Sequence, residues 1–386
     1  MAVSAGYRAL DEDSVLSVAA PFAGDGPLTA AEVGDGNLNL VFRVSGAASS
    51  VIVKQALPYL RVAGEAWPLT RHRADIEWAA LDVHSKLAPG LLPEVLAFDE
   101  SLSALVLEDL AGYSTWRDAL IGGRDIPGVA AEVGAYCARV LLGTSASGLQ
   151  QAERSALQAR FGYSELCGLT ENLVFTAPYT DSPTNRYDEQ AAHLALAVRR
   201  DRSLRSAAAE LRFGFKTRGE ALIHGDLHSG SVMVDPGGKT KIIDLEFAFF
   251  GPAGFDIGLL LANLAFARLA HEERGNHAYC RVIDGYAESF WCTFTDESRR
   301  LWSPGERWHD QFLATVTADA ARFAGLEMIR RVVGLAHVKD IDSLPPSQRL
   351  GAQERAVGGG RALLLGADCT TFGALWRRAI EEDSCS

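Results

Sequence analysis

A change of texture near Gly112 divides this sequence into two unequal parts. Before it, short runs rich in Val, Ile and Leu recur at residues 38–44, 50–55 and 103–107, and such runs bounded by turn residues predict strands. Between the second and third, Ile76, Ala79, Ala80, Val83 and Leu87 recur at three- and four-residue spacing, as one buried face of a helix over 73–87 requires. One helix therefore interrupts a sheet. Beyond Gly112, Ala-, Leu- and Arg-rich stretches predict helices, among them 129–142, 190–211, 255–270 and 277–294. A single strand pair, 231–234 and 241–243, breaks this half across Asp235-Pro236-Gly237-Gly238, whose glycines admit positive φ. Stretches 180–187, 296–308 and 344–360 read as loops, and a last helix is expected over 361–382. The expected class is α+β and bilobal: a small antiparallel-sheet lobe with one main helix over residues 1–110, then a larger, mainly helical lobe over 111–386.

With 48% hydrophobic residues the chain can bury sizeable cores. Its 37 basic and 49 acidic residues leave a net charge of −12, which opposes an extended track on nucleic acid or on an anionic membrane. A discrete anion held by a few local cations remains open. The six cysteines form no C-x-x-C pair and no grouping with histidine, so neither a zinc site nor a disulfide framework is expected. No apolar run approaches the roughly 20 residues that span a bilayer, and no basic stretch leads into an apolar core, so a cytoplasmic protein is expected.

The densest chemistry is His224-Gly225-Asp226-Leu227-His228-Ser229-Gly230-Ser231, followed thirteen residues after Ser231 by Asp244-Leu245-Glu246. Phosphoryl transfer from ATP needs a carboxylate to accept the proton of the attacking hydroxyl and acidic oxygens to hold Mg²⁺ on the phosphates. Asp226 before the hairpin and Asp244 and Glu246 after it meet both needs. Acids are also common as plain turn and cap residues, and a lone His-Gly-Asp would decide nothing.

A second set lies upstream. Gly34-Asp35-Gly36-Asn37-Leu38-Asn39-Leu40-Val41 follows the kinase pattern G-x-G-x-x-G-x-V, except that Asn39 stands at the third glycine. Lys54 sits inside the next apolar strand, where a buried ammonium needs an anion, and Glu77 on the following helix or the ATP phosphates could supply it. Glu108 to Leu110 end the strand region, where backbone groups could meet an adenine edge. An ordinary hairpin turn, a solvent-facing lysine and any lobe-connecting strand are the bland counterparts of these three readings.

Together these residues resemble the methylthioribose kinases, relatives of aminoglycoside and choline phosphotransferases within the protein-kinase-like fold. The likeness runs through residues 34–42, 54–59 and 64–70, the 224–231 loop, 246–249, Gly254-Phe255-Asp256-Ile257-Gly258, and 329–338. Ordinary protein and antibiotic kinases place an asparagine five residues after the catalytic aspartate to hold a metal. Here that position is Ser231, and Glu246 completes the D-x-E arrangement of the methylthioribose kinases.

The resemblance implies Asp226 as catalytic base, Asp244 and Glu246 on Mg²⁺, and Gly34, Gly36, Asn37, Lys54, Glu77, Glu108 and Leu110 around the nucleotide. It further implies Trp67 in a loop over that nucleotide, and Asn39, Arg330 and Arg331 at the sugar or the transferring phosphate. The implied reaction is ATP plus 5-methylthioribose giving the 1-phosphate and ADP, a step of methionine salvage, with a homodimer as the implied assembly. Leu245 stands where the family usually has proline, which releases a fixed φ in the metal motif. One methylene is worth only about 1–3 kcal/mol in a pocket, so a kinase of another 5-modified ribose such as 5-deoxyribose stays open. So do an antibiotic phosphotransferase and a catalytically dead fold that only binds nucleotide.

Overall fold

The computed structural model describes residues 6–33, 38–61, 64–302, 306–366 and 369–381. Gly34, Gly36 and Asn37 lie outside the described residues. The chain divides into two compact units, Met1–Tyr113 with Lys241–Ala248, and Ser114–Thr240 with Phe249–Ser386. Sequence reasoning cuts the chain once, near residue 110; the structure returns the short segment that carries Asp244 and Glu246 to the first unit.

In the first unit, helix α1 (Ser14–Ala19) precedes strands β1 (Thr29–Glu32), β2 (Asn39–Ser45) and β3 (Ser50–Ala56), the ribbon β4 (Tyr59–Leu60) and β5 (Gly64–Pro68), helix α2 (Arg73–Leu87), and strands β6 (Val95–Asp99) and β7 (Ala104–Glu108). Five strands form one antiparallel sheet in the order β1-β2-β3-β7-β6. Along β3 side chains alternate between faces. Val51 and Val53 join the core made by Val15, Ala19, Phe42, Val44 and Val106, which leaves Lys54 on the opposite face. Helix α2 buries Arg73, Ile76, Glu77, Ala80, Leu81 and His84 along one side, so its inward stripe carries charge among the apolar positions. The predicted bounds of this helix match the observed ones.

The second unit runs through β8 (Ser114–Thr115), α3 (Trp116–Ile121), α4 (Val129–Thr144), α5 (Gln151–Arg160), α6 (Glu165–Thr170), α7 (Ala192–Arg200) and α8 (Arg202–Thr217). Short strands β9 (Ala221–Ile223), β10 (Val232–Val234), β11 (Thr240–Ile242, whose last residues belong to the first unit) and β12 (Phe249–Gly251) follow, then α9 (Gly254–Glu273), α10 (His277–Leu301), α11 (Glu306–Val333), α12 (Lys339–Asp342), α13 (Pro346–Leu365) and α14 (Phe372–Ile380). Nearly all of α9 is buried. Phe255 on it meets Phe175, Phe215 and Phe323 at ring-centroid distances of 6.5, 5.1 and 5.2 Å, an aromatic centre with stacked, tilted and edge-on pairs respectively.

Several expectations are corrected here. The helix expected over 190–211 is two, because Asp201 is extended and its side chain caps the second by accepting from Ser203 and Leu204 N–H. Much of 296–308 is helical, in the end of α10 and the start of α11, and 344–360 is mostly the helix α13. Pro346 is at the first position of α13, where its missing N–H costs nothing. The glycines that made this stretch look like a loop serve a crossing instead: a Cβ on Gly325 would sit 2.5 Å from the Gly360 carbonyl oxygen. The last helix is correspondingly short, and β8, β9 and β12 are strands that the residue pattern did not announce.

Candidate active site

Two clusters of charged side chains stand out, one in each unit. In the first, Lys54 Nζ donates to Glu77 Oε1 at 2.8 Å and to Asp244 Oδ1 at 2.6 Å. Burial works to discharge this ammonium, but Asp244, Glu77 and Glu246 together raise its pKa above the ordinary lysine value. Burial, aided by Glu246 and Asp244 and opposed by Lys54, pushes the Glu77 carboxyl up to about 7. One cation thus anchors a knot of acids.

Asp244 adopts the left-handed conformation, φ 67° and ψ 52°, which costs a non-glycine residue roughly 1 kcal/mol or more and persists only where its surroundings fix it. Lys54 holds its side chain at 2.6 Å, and the next residue is Leu245. Leu245 is fully buried at the start of a short 3-10 turn over Leu245–Phe247, at the position where a proline ring would have fixed φ. Glu246 is also buried, and Asn39 Nδ2 donates to both its oxygens at 3.0 and 3.1 Å. Arg73 Nε lies 3.2 Å from Glu246 Oε2 and 3.2 Å from Asn39 Oδ1, while its other nitrogens donate to the carbonyls of Leu38, Leu57 and Thr70.

Asn39, expected at the sugar, lies on β2 with its amide nitrogen on Glu246. Sequence reasoning missed Arg73, although a guanidinium opening an apolar helix face was a sign that some acid is buried nearby. Trp67 lies half-buried on β5, the returning strand of a two-stranded ribbon, where an open loop was expected. At the end of β7, the Glu108 carboxylate accepts from Lys241 Nζ at 3.0 Å and from Glu94 N–H at 3.1 Å. The Leu110 carbonyl takes the Tyr113 N–H.

Asp244 and Glu246 present hard oxygen donors two residues apart, a set that fits Mg²⁺, which usually takes one or two carboxylates along with phosphate oxygens and water. Among the described residues, no three His, Cys, Asp or Glu side chains gather as a cage that would hold a metal unaided.

The second cluster surrounds Asp226. The loop carrying it is fixed from below by Asp256, a buried carboxylate that accepts from the N–H groups of His224 at 2.7 Å and Gly225 at 3.0 Å. His228 is kept neutral: burial, then the charges of Arg117 and Arg331, hold its pKa well below the usual imidazole value. Its Nδ1 accepts from Ser231 N–H at 3.0 Å, which puts the ring proton on Nε2, 3.6 Å from Asp226 Oδ2. Ser231 Oγ donates to the Asp226 carbonyl at 3.1 Å. The position that replaces asparagine therefore braces the loop that carries Asp226.

Arg330 and Arg331, on α11, are buried and share Glu327, which is itself fully buried; Arg331 Nε reaches it at 2.7 Å and Arg330 pairs with both its oxygens. The sequence required an anion for this pair, and Glu327 lies one helical turn before it. Arg117, Asp340 and His228 complete the cluster. Arg117 carried no pattern that would have marked it.

A groove of about 680 Å³ lined by Trp302, Trp308, Phe312 and Arg154 also lies in the second unit, and none of the residues around Asp226 lines it.

Comparison with known proteins places these observations in a family. The profile described as the Phosphotransferase enzyme family matches residues 29–289. The methylthioribose kinase of Bacillus cereus strain AH187 is 39% identical over 362 residues, covering 90% of this chain and 91% of that protein. That of Bacillus cereus strain G9842 is 37% identical over 391 residues, covering 97% and 98%. Among solved structures, the AMP-bound complex of spectinomycin phosphotransferase is similar in fold, with a TM-score of 0.50 at 10% identity over 93% of this chain and 99% of that one. The fold is that of the protein-kinase-like phosphotransferases: a small antiparallel sheet with one main helix, and a mainly helical remainder.

Proposed function

We propose a function from one premise: the chain belongs to the methylthioribose kinases, within the phosphotransferase enzyme family. It transfers the γ-phosphoryl group of ATP to the 1-hydroxyl of 5-methylthioribose. The observation that carries this reading is the buried Lys54 ammonium tied at once to Glu77 and Asp244, the arrangement that triphosphate binding in such a kinase calls for.

In this reading the first unit holds the nucleotide. Lys54 meets the phosphates, and the Leu110 N–H, which makes no hydrogen bond among the described residues, is offered to the adenine edge. Asp244 and Glu246 would hold Mg²⁺, which supplies charge neutralisation on the phosphates. Asn39 and Arg73 aim Glu246 for that task.

The second unit holds the sugar. Asp226 takes the proton of the 1-hydroxyl as that oxygen bonds to the γ-phosphorus and the bond to the β–γ bridging oxygen breaks, releasing ADP. His228 Nε2 lies 3.6 Å from Asp226 Oδ2, beside the carboxylate that takes the proton. Arg330 and Arg331 place the sugar and neutralise the group in transit. The homodimer rests on the resemblance, and the cytoplasmic location on the sequence reading; among the described residues, no helix is long and apolar enough to cross a membrane.

The test is turnover of 5-methylthioribose, 5-deoxyribose, ribose and kanamycin side by side with ATP, over a titration of Mg²⁺, with the phosphorylated position found by phosphorus NMR. We expect Mg²⁺-dependent formation of the 1-phosphate from 5-methylthioribose. Turnover of kanamycin alone, or phosphate on another hydroxyl, removes the assignment.

A further inference from the structure

We propose that Arg117 is a third phosphate-binding cation of the second unit, presenting Nη1 to the transferred phosphoryl group and to the 1-phosphate product. The inference rests on the kinase reading above. Arg117 is the second residue of α3, and its backbone N–H donates to the Ser229 carbonyl at 2.9 Å, so main chain and side chain both lie against the loop that carries Asp226.

Its guanidinium is held on two edges. Nη2 donates to Asn263 Oδ1 at 2.7 Å, and Nε lies 3.3 Å from Ser229 Oγ and 3.4 Å from Asp340 Oδ2. Nη1 makes no hydrogen bond among the described residues. That nitrogen reaches under Gly230, where an added Cβ would stand 2.8 Å from it. A planar fork fixed on two sides with its third donor open is preorganised for an anion.

The charges support the same assignment. Arg117 feels the repulsion of Arg331 and the attraction of Asp340, Asp226 and Glu327, in a setting whose burial disfavours its charge. Arg117, Arg330 and Arg331 face the carboxylates Asp226, Glu327 and Asp340, while Arg274 also acts on Asp340 and Arg117 on Asp118. When Asp226 accepts the proton of the sugar hydroxyl, the cluster becomes more positive by one charge. That change arises at the step in which the phosphoryl group arrives, so the cluster favours the transition state and product over the neutral sugar.

The experiment is calorimetric binding of 5-methylthioribose, its 1-phosphate and inorganic phosphate to the full chain and to Arg117→Gln and Arg117→Lys. A charged hydrogen bond to phosphate predicts that R117Q weakens the 1-phosphate roughly 10- to 100-fold and leaves the neutral sugar within about threefold. R117K keeps the charge and loses the fork, so an intermediate loss of about 3- to 10-fold is expected. Because it keeps the buried stem, it also serves if R117Q does not fold. Equal losses for sugar and 1-phosphate would show that Arg117 only supports the loop, and unchanged affinities in R117K would remove it from the phosphate. Should the wild type fail to turn over the sugar, the kinase reading falls on its own. The cation is then tested by inorganic phosphate, which the wild type must bind more tightly than either variant.

Discussion

Asp340 shows how a single buried side chain records the electrostatics around it. Its side chain is wholly excluded from solvent, neither oxygen takes a hydrogen bond from the described residues, and Arg117 Nε at 3.4 Å is its partner. Burial pushes its carboxyl up to about 6, against the pull of Arg117. The native state therefore binds this proton more tightly than the unfolded chain does. The sign follows: Asp340 contributes stability that is fully present below about pH 4 and is lost as pH rises through 6. Asp340→Asn cannot ionise, so it should gain on the wild type by about 1 kcal/mol between pH 5 and pH 7, out of roughly 3 kcal/mol for the whole titration. Urea midpoints of both proteins across that range measure the difference, and two parallel curves would mean that Asp340 ionises as it does in water.

Helices α11 and α13 show where element-scale reasoning from residues succeeds and where it stops. Strands β2, β3 and β7 and helix α2 were legible because period-two and period-3.6 patterns are written locally. Helix α13 was not, because Gly358, Gly359 and Gly360 lower helix propensity, and for Gly359 and Gly360 it is close approach of a partner helix that explains them. At Gly325 an added Cβ would meet the Gly360 carbonyl oxygen at 2.5 Å and the Leu364 amide nitrogen at 2.7 Å, backbone atoms that cannot swing aside. Alanine gains about 1 kcal/mol of helix propensity, and overpacking costs about 1–3 kcal/mol; a clash with backbone belongs at the upper end. Gly325→Ala should therefore lose roughly 1–2 kcal/mol by urea denaturation. Gly358, with nothing within 4 Å of its added Cβ, is the internal control. Gly358→Ala should be neutral or slightly stabilising, and a common sign for the two variants would show that propensity, not the crossing, governs this helix pair.

For the whole molecule, the sequence supplied the acids and the ammonium but not what steadies them. Asp226, Asp244, Glu246 and Lys54 lie in dense motifs, whereas Arg73, Arg117, Glu327 and Asp340 are single residues brought to the clusters by folding. The structure assigns the motif residues to different units, and the proposed function gives each unit its own ligand. That division has a consequence in binding. In Lys54→Met, Glu77 loses its cation, but a carboxyl already pushed up to about 7 simply takes a proton, so the fold should survive. In Arg330→Ala, Glu327 keeps Arg331 at 2.7 Å, which guards against an unpaired buried charge. Lys54→Met should then weaken ATP by about 10-fold or more, as loss of a charged contact predicts, and leave 5-methylthioribose within about threefold. Arg330→Ala should do the reverse. Calorimetric titration of each variant with each ligand separates the four affinities, and a variant that weakens both ligands alike would mean that the two clusters do not divide the substrates between them.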